Sequence, residues 1–247
     1  MNNILKVGIV GCNGKLAKEI INVIAEREDC QITSAIASKR SASAGKILSQ
    51  NTETAPVIIA DDILLAKECD VLIDVTNRDA FINDNYEKYM QLKKPIILAT
   101  TGFNADDTKK IDALAKEMII VKSANYSFEL VYFIEALKNY AKVVRDIDVS
   151  ITEVHHKEKK DAPSGTALAI RDALLEANNT LNIEMCSIRA GIVHGEHRVL
   201  FANMSGEEIA FSHKATSRRC FADGIVKIIF MLSNKENGLY TIDDFVE

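Results

Sequence analysis

The first half of the chain alternates short apolar runs with longer stretches in which apolar residues recur at helical spacing. Runs that are apolar at nearly every position are typical of strands buried on both faces of a parallel sheet, and the stretches between them of crossover helices. The predicted strands lie at residues 6–10, 32–37, 57–59, 71–75, 96–99 and 119–121. This order predicts a Rossmann-like, doubly wound α/β domain.

The pattern changes near residues 124–127, where we place a domain boundary. Beyond it the predicted helices cover residues 128–144, 164–175 and 218–232, and the predicted strands cover 147–154, 186–188, 199–201 and 209–213. These elements predict a smaller α+β domain with a mixed sheet over residues 126–216. Residues 217–247 are expected to rejoin the first domain, residues 1–125.

Composition excludes several classes of protein. About half of the residues are apolar (47%) and the net charge is only −5, so we expect neither disorder nor nucleic acid as a partner. The first residues lack the pattern of a signal peptide, and no segment is long and apolar enough to span a membrane. Five scattered cysteines without a Cys-x-x-Cys pair suit a reducing compartment. We therefore expect a cytoplasmic protein with no membrane partner.

The first strand runs directly into a glycine-containing loop and the start of a helix. The expected dinucleotide contacts here are Gly11, Cys12, Asn13, Gly14, Lys15 and Leu16. Glycines permit a tight turn and close approach of the backbone to a pyrophosphate, which the first N–H groups of the helix can bind. The spacing G-x-x-G-x-x-A is one residue off the usual pattern, so an ordinary strand-to-helix turn remains an alternative.

Three further strand ends carry candidate nucleotide ligands. After the second strand, where an acid normally binds the ribose of NAD, the chain has Lys39 and Arg40, and two cations favour the 2′-phosphate of NADPH. The alternative, to which we give equal weight, is that Lys39 and Arg40 are solvated loop residues without a ligand. The loops at 74–77 and 99–103 place small hydroxyl residues at the same expected edge of the sheet, where ordinary turn chemistry explains them as well.

The segment 153–166 contains His155, His156, three lysines and a predicted helix start within fourteen positions. Imidazoles exchange protons near neutral pH, while ammonium groups and helix-start N–H groups hold carboxylate or phosphate. The segment therefore predicts an anion-binding active site with its own proton donors. A metal site is disfavoured because the lysines repel a cation, and Asp161 is interpreted as a loop or capping residue rather than a base.

The whole chain resembles the 4-hydroxy-tetrahydrodipicolinate reductase (dihydrodipicolinate reductase) family. The pattern E-x-H-H-x-x-K-x-D-A-P-S-G-T is matched without a gap by residues 153–166. Thr-Thr-Gly at 100–102, Ala-Asn-Tyr-Ser at 124–127, Gly-Glu-His at 195–197 and His-Lys-Ala at 213–215 agree with it too. The resemblance implies a reductase of the diaminopimelate and lysine pathway that uses NADPH or NADH and removes water from a cyclic dicarboxylate.

The resemblance also implies roles for individual residues. His155 corresponds to the catalytic proton donor or acceptor and Lys159 to a second proton donor. The implied substrate ligands are His156, Ser164, Gly165 and Thr166. The implied nucleotide contacts beyond the glycine loop are Ala99, Thr100, Thr101, Ser123, Ala124, Asn125 and Tyr126. The first domain would bind the dinucleotide, and the second would bind substrate and assemble a homo-oligomer, by resemblance a tetramer.

Several positions depart from the family pattern. Ala17 and Ala99 stand where glycine is usual, Arg78 stands where proline is frequent, and the segment 181–189 is short. Two other functions remain as alternatives. One is a nucleotide sensor without catalysis, and the other is a related oxidoreductase acting on another small dicarboxylate or amino acid.

Overall fold

A computed structural model describes residues 4–48 and 56–246 of the chain. Its strands are β1 (Leu5–Val10), β2 (Cys30–Ile36), β3 (Ile59–Ala60), β4 (Val71–Asp74), β5 (Ile96–Leu98), β6 (Ile119–Lys122), β7 (Ile147–His155), β8 (Asn182–Arg189), β9 (Gly195–Asn203), β10 (Glu208–Ala215) and β11 (Gly238–Tyr240). Its α-helices are α1 (Lys15–Ala25), α2 (Tyr86–Leu92), α3 (Ala105–Ala115), α4 (Phe128–Val143), α5 (Gly165–Ala177) and α6 (Arg219–Ile229).

Seven strands form one sheet in the order β3-β2-β1-β4-β5-β6-β11. Every neighbouring pair is parallel. β4 and β5 are buried at every position, as expected for strands covered on both faces. The first six strands follow the order of a dinucleotide-binding fold, which confirms the predicted Rossmann-like sheet.

Helices of the same unit bury their apolar stripes against this sheet and against each other. α1 buries Ile20, Ile21 and Ile24 and packs against α6, because residues three and four apart share one face of a helix. A second cluster joins Phe81 and Tyr89 to the buried strand residues. Within the part of the chain that the structure describes, no helix is both long and apolar enough to cross a membrane.

The chain divides into two compact units, Met1–Tyr126 with Arg219–Glu247, and Ser127–Arg218. The second unit contains a four-stranded sheet in the order β10-β9-β7-β8. β7 is parallel to β8 and antiparallel to β9, which is antiparallel to β10, so the predicted mixed sheet is confirmed. Alternate residues of β7 and β9 form a core with α4 and α5: Val149, Ile151, Val199, Phe201, Leu137, Ala141, Ile170 and Leu174.

Several elements differ from the predicted boundaries, among them β9, which covers nine residues rather than the three predicted. β11 was not predicted, because a three-residue strand containing glycine carries little periodic signal. The strand predicted at 57–59 is reduced to Ile59–Ala60, and Ile58 instead forms an isolated bridge with Ile47. β8 extends over eight residues rather than the three predicted, since the adjacent apolar residues Met185 and Cys186 interrupt its alternation of polar and apolar positions.

Candidate functional site

A cleft of about 920 Å³ lies in the first unit at the carboxyl ends of β1, β2 and β4. Ligands of parallel α/β sheets bind at this edge. Four of the predicted nucleotide contacts line the cleft: Gly11, Asn13, Lys39 and Arg40. Thr76 and Asn77, which follow β4, line it as well.

The glycine loop approaches the β4 loop closely. Gly11 has a φ of +89°, and a Cβ at this position would lie 3.0 Å from Thr76 Cγ2 and from the carbonyl oxygen of Val75, so a side chain is excluded there. The backbone N–H groups of Gly11 and Cys12 donate to the carbonyl of Ile36 at 2.9 and 3.1 Å. These two N–H groups are therefore occupied within the protein.

The first turn of α1 is the part of this loop that can bind an anion. Gly14 precedes the helix and has no side chain with which to cap it. Lys15 and Leu16 begin the helix, and N–H groups in a first turn have no acceptor within the helix itself. Their backbone can bind a phosphate, whereas the side chain of Cys12 is buried in the core.

Asn13 fixes the loop that follows β2. Its Nδ2 donates to Ser41 Oγ at 3.0 Å and to Ser43 Oγ at 2.8 Å. This contact connects the glycine loop to the exposed side chains of Lys39 and Arg40. The two cations thus follow the second strand on a loop that is tied to the expected pyrophosphate site.

A buried carboxylate, Asp74, ends β4 beneath the cleft. It accepts hydrogen bonds from Thr76 N (3.0 Å), Thr76 Oγ1 (2.7 Å), Thr100 Oγ1 (2.8 Å) and the hydroxyl of Tyr89. Burial raises the pKa of Asp74, and these four bonds offset only part of the effect. The hydroxyl of Thr100, a predicted nucleotide contact, is used here to join the loop after β5 to the loop after β4.

The remaining predicted nucleotide contacts follow β5 and β6 at the same edge of the sheet and are not among the residues that line the cleft: Ala99, Thr100, Thr101, Ser123, Ala124, Asn125 and Tyr126. Tyr126 is buried, and its hydroxyl is shared between the carbonyls of Leu98 and Val121, each at 2.9 Å. Ser123 Oγ accepts from Ile242 N at 2.7 Å. These side chains hold β5, β6 and the C-terminal segment together.

In the second unit, Glu153 and His155 end β7 on the same face of the strand. They are 1% and 8% exposed, and Nδ1 of His155 bonds to Oε2 of Glu153. Arg189 pairs with His155 in the register of β7 with β8 and donates to the Glu153 carboxylate through Nη1 (3.0 Å) and Nη2 (2.7 Å). Glu153 therefore holds one nitrogen of His155 and leaves Nε2 for proton exchange.

The charges of this cluster follow from its hydrogen bonds. Burial alone would raise the pKa of Glu153, but bonds from Arg189, Ser187 and His155 outweigh it and lower the pKa to about 2. Burial lowers the pKa of His155, the bond to Glu153 counteracts this, and the nearby cations Lys159 and Arg189 add to the lowering. An ionised carboxylate thus accepts the Nδ1 proton of an imidazole that is mainly neutral at neutral pH.

Three other residues of the segment 153–166 are Lys159, Asp161 and His156. Lys159 Nζ donates to both carboxylate oxygens of Asp161, at 2.8 and 2.7 Å, so Asp161 is a paired loop residue as interpreted from the sequence. Its carbonyl accepts from Arg189 Nη2 at 2.6 Å. His156 follows β7 directly and is partly exposed.

The start of α5 is tied to the same carboxylate. The backbone N–H of Ser164 donates to Glu153 Oε1 at 3.2 Å, and Ser164 Oγ caps the helix by accepting from Ala167 N at 3.2 Å. The hydroxyl of Ser164, a predicted substrate ligand, is thereby used within the protein. The N–H groups of Gly165 and Thr166 lie in the first turn, where an anion can accept from them.

Two more histidines lie near His155. The rings of His197 and His155 are 5.3 Å apart between centroids, and those of His197 and His213 are 6.1 Å apart. Within residues 4–48 and 56–246, no group of three or more His, Cys, Asp or Glu side chains is arranged to hold a metal ion.

Sequence reasoning missed the organising residues of both clusters. Glu153 had a usable signal, since it lies two positions before His155 and strand alternation puts both on one face. Arg189 and Tyr89 had none, because their contacts depend on the register of β8 and on the packing of α2. Arg78 stands at the position where the family often has proline. Its guanidinium forms an ion pair with the buried carboxylate of Asp107.

Comparisons with known proteins cover nearly all of the chain. The family model "Dihydrodipicolinate reductase, N-terminus" matches residues 5–126, and "Dihydrodipicolinate reductase, C-terminus" matches residues 130–246. The 4-hydroxy-tetrahydrodipicolinate reductase of Campylobacter curvus is 33% identical across 97% of this chain and 98% of its own length. That of Buchnera aphidicola subsp. Baizongia pistaciae is 34% identical across 97% and 96%.

Solved structures share the fold. A dipicolinate-bound dihydrodipicolinate reductase from Paenisporosarcina sp. TG-14 superposes with a TM-score of 0.75 at 20% identity, covering 99% of this chain and all of that one. An amine dehydrogenase from Mycobacterium smegmatis superposes with a TM-score of 0.64 at 11% identity, covering 98% and 96%. At these identities the superpositions show a shared fold only, and they do not identify the reaction.

Proposed function

This chain belongs to the dihydrodipicolinate reductase family, and we propose that it reduces 4-hydroxy-tetrahydrodipicolinate to tetrahydrodipicolinate with NADPH or NADH, with loss of water, in diaminopimelate and lysine biosynthesis. The observation that carries the proposal is the buried contact of Glu153 with His155 Nδ1. It leaves a proton-exchanging nitrogen, Nε2, beside a helix start and a lysine suited to a dicarboxylate.

The first unit binds the nucleotide in this proposal. The first turn of α1 offers its N–H groups to the pyrophosphate, and the cleft has room for the adenosine end. Lys39 and Arg40 line the cleft, so a 2′-phosphate would meet two cations there. The bound nicotinamide supplies the hydride.

The second unit binds and protonates the substrate. His156 and the N–H groups of Gly165 and Thr166 hold the carboxylates, because helix-start donors favour anions. The Lys159 ammonium and the imidazolium form of His155, in which Nε2 also carries a proton, face developing negative charge at the ring nitrogen as the hydride reaches the ring carbon. A positioned acid lowers that barrier, and Asp161 keeps the Lys159 ammonium in place.

We also propose that the enzyme is cytoplasmic and works as a homotetramer assembled through the second unit. The support is the family resemblance, together with the apolar side chains exposed on this unit: Ile188, Ile192, Met204 and Ile209. Apolar side chains at a surface favour association. Light scattering of the purified protein measures the assembly directly, and a monomer at micromolar concentration would contradict it.

The activity is tested by coupling the purified protein to a dihydrodipicolinate synthase fed pyruvate and aspartate semialdehyde. Oxidation of NADPH and NADH is followed in parallel, and consumption that depends on the synthase product is the expected result. The double variant Lys39→Ala, Arg40→Ala should weaken the binding of NADPH more than the binding of NADH. His155→Gln should lower turnover by roughly 10²-fold or more with nucleotide binding retained; folded wild-type protein that consumes neither nucleotide would refute the proposal.

A further inference from the structure

Three imidazoles lie side by side on neighbouring strands of the second unit. His213 on β10 is directly opposite His197 on β9. His197 is directly opposite Glu153 on β7, two residues before His155. Since residues two apart on a strand share a face, the three rings project from one face of the sheet in the order His213, His197, His155.

His197 is the most enclosed of the three. It is 3% exposed, and among the described residues neither Nδ1 nor Nε2 of its ring has a hydrogen-bond partner. Nδ1 of His213 is likewise buried and unpartnered within that part of the chain. Burying a polar atom without a partner is costly, so a ring placed this way calls for a role beyond packing.

A glycine keeps the space between His197 and His155 open. A Cβ at Gly195 would lie 3.2 Å from His155 Nε2 and 3.8 Å from Cε1 of His197. Cε1 is the ring carbon between the two nitrogens, so the nitrogen-bearing edge of His197 borders the same space as the catalytic nitrogen of His155. The centroids of the two rings are 5.3 Å apart, so the rings are neighbours, and a water molecule hydrogen-bonded to a nitrogen of each would connect them.

The environment keeps His197 neutral. Burial lowers its pKa to about 4, with His155, His213 and Lys159 adding to the effect and Glu153 opposing it. Burial also lowers the pKa of His213, which Glu129 of α4 partly offsets. A neutral imidazole has one donor nitrogen and one acceptor nitrogen, so it can accept a proton at one and release a proton at the other.

We propose that His197 returns a proton to His155 after each turnover, receiving it from His213. The inference rests on the proposed function, in which hydride and one proton enter the substrate and water leaves, so His155 donates as the imidazolium, ends the cycle as the neutral imidazole and must take up a proton on Nε2 before it can donate again. His213 takes a proton from solvent, His197 accepts it on one nitrogen and releases another from its second nitrogen, and Nε2 of His155 is protonated again. His197 acts through His155 and does not touch the substrate.

The test compares His197→Phe, which keeps an aromatic ring and removes both nitrogens, with the wild type in dilute and in imidazole-containing buffer. His194→Phe, on the loop before β9, is the matched control. In dilute buffer we expect kcat of His197→Phe to fall by roughly 10-fold or more, KM to be retained, and added imidazole to restore turnover. The His194 variant should match the wild type in both buffers.

The results of the His197 and His213 variants decide whether the relay operates. Unchanged kcat of folded His197→Phe in dilute buffer, or a loss that imidazole does not restore, would overturn the relay. If that variant does not fold, His213→Phe at the partly exposed end of the row is expected to show the same buffer-dependent loss, and its absence would overturn the relay as well. Wild-type turnover in the same assay reports on the proposed function, so a failure there is distinguished from a failure of the variants.

Discussion

The two units each bury a carboxylate at the end of a strand, and the two carboxylates have opposite surroundings. Asp74 in the first unit is fully buried, Glu153 in the second is 1% exposed, and each accepts several hydrogen bonds. All donors to Asp74 are neutral hydroxyl and amide groups. Glu153 is bound by the guanidinium of Arg189 and by His155.

The difference in pKa between the two acids follows in part from their donors, since only Glu153 is bound by a guanidinium. Burial raises the pKa of Asp74 in spite of its four bonds. Burial also acts to raise the pKa of Glu153, but hydrogen bonds from Arg189, Ser187 and His155 bring the value to about 2. We therefore interpret Asp74 as a connector of two loops and Glu153 as the permanent charge that orients a proton donor.

The largest expected effect is that of Glu153→Gln. The amide keeps the shape but loses the charge, leaves Arg189 without its anion and no longer favours the Nδ1 proton of His155, so turnover should fall by roughly 10²-fold or more. The matched control is Asp74→Asn, which makes the same acid-to-amide change in the first unit and should lose much less turnover. Equal losses in the two variants would remove the distinction between the clusters.

Acid should destabilise the second unit before the first. The pKa of His197 is lowered to about 4 in the folded protein, so the unfolded chain binds more protons as pH falls below about 6.5, and stability is lost from there down to about 4. Glu153, with a folded pKa of about 2, adds a loss at lower pH. The pKa of Asp74 is raised in the folded protein, so its contribution to stability increases as the pH falls.

Hydrogen exchange resolved by strand measures this order. Protection of β7, β9 and β10 should fall between pH 7 and pH 5 relative to β1, β4 and β5, and His197→Phe should reduce the difference. Loss of protection that begins in β4 and β5 would contradict it.

A smaller effect is expected for the stability of Asp74→Asn. The amide presents an N–H where Tyr89 already donates, so one buried bond is lost, at a cost of about 1–3 kcal/mol in the free energy of unfolding. Urea denaturation followed by probes in the first unit measures it. A variant as stable as the wild type would show that the loop connection contributes nothing.

The smallest effect is expected for Tyr89→Phe, which removes one neutral donor and leaves Asp74 with three. Its cost should be about 1 kcal/mol in the free energy of unfolding. In a double-mutant cycle with Asp74→Asn, the two losses should be less than additive, because both variants break the same bond. Additive losses would mean that the hydroxyl of Tyr89 stabilises the unit through another contact.

The sequence predicted most of the parallel sheet, because buried strands and crossover helices have different periodicities. It also located His155 and the start of α5, which are contiguous in the chain. The partners of the two carboxylates were not predictable. Thr100 and Tyr89 lie 26 and 15 residues from Asp74, and Arg189 reaches Glu153 only through the pairing of β7 with β8, a register that local patterns do not specify.

The most direct test of the central claim is an NMR titration of protein with ¹⁵N-labelled histidine, which reports the tautomer and the pKa of His155. An ionised Glu153 that holds Nδ1–H predicts a neutral form protonated on Nδ1 and a pKa below the ordinary value of 6.5. Glu153→Gln should lower that pKa further, because the bond to Glu153 raises it. A neutral form protonated on Nε2, or a wild-type pKa above 6.5, would contradict the account.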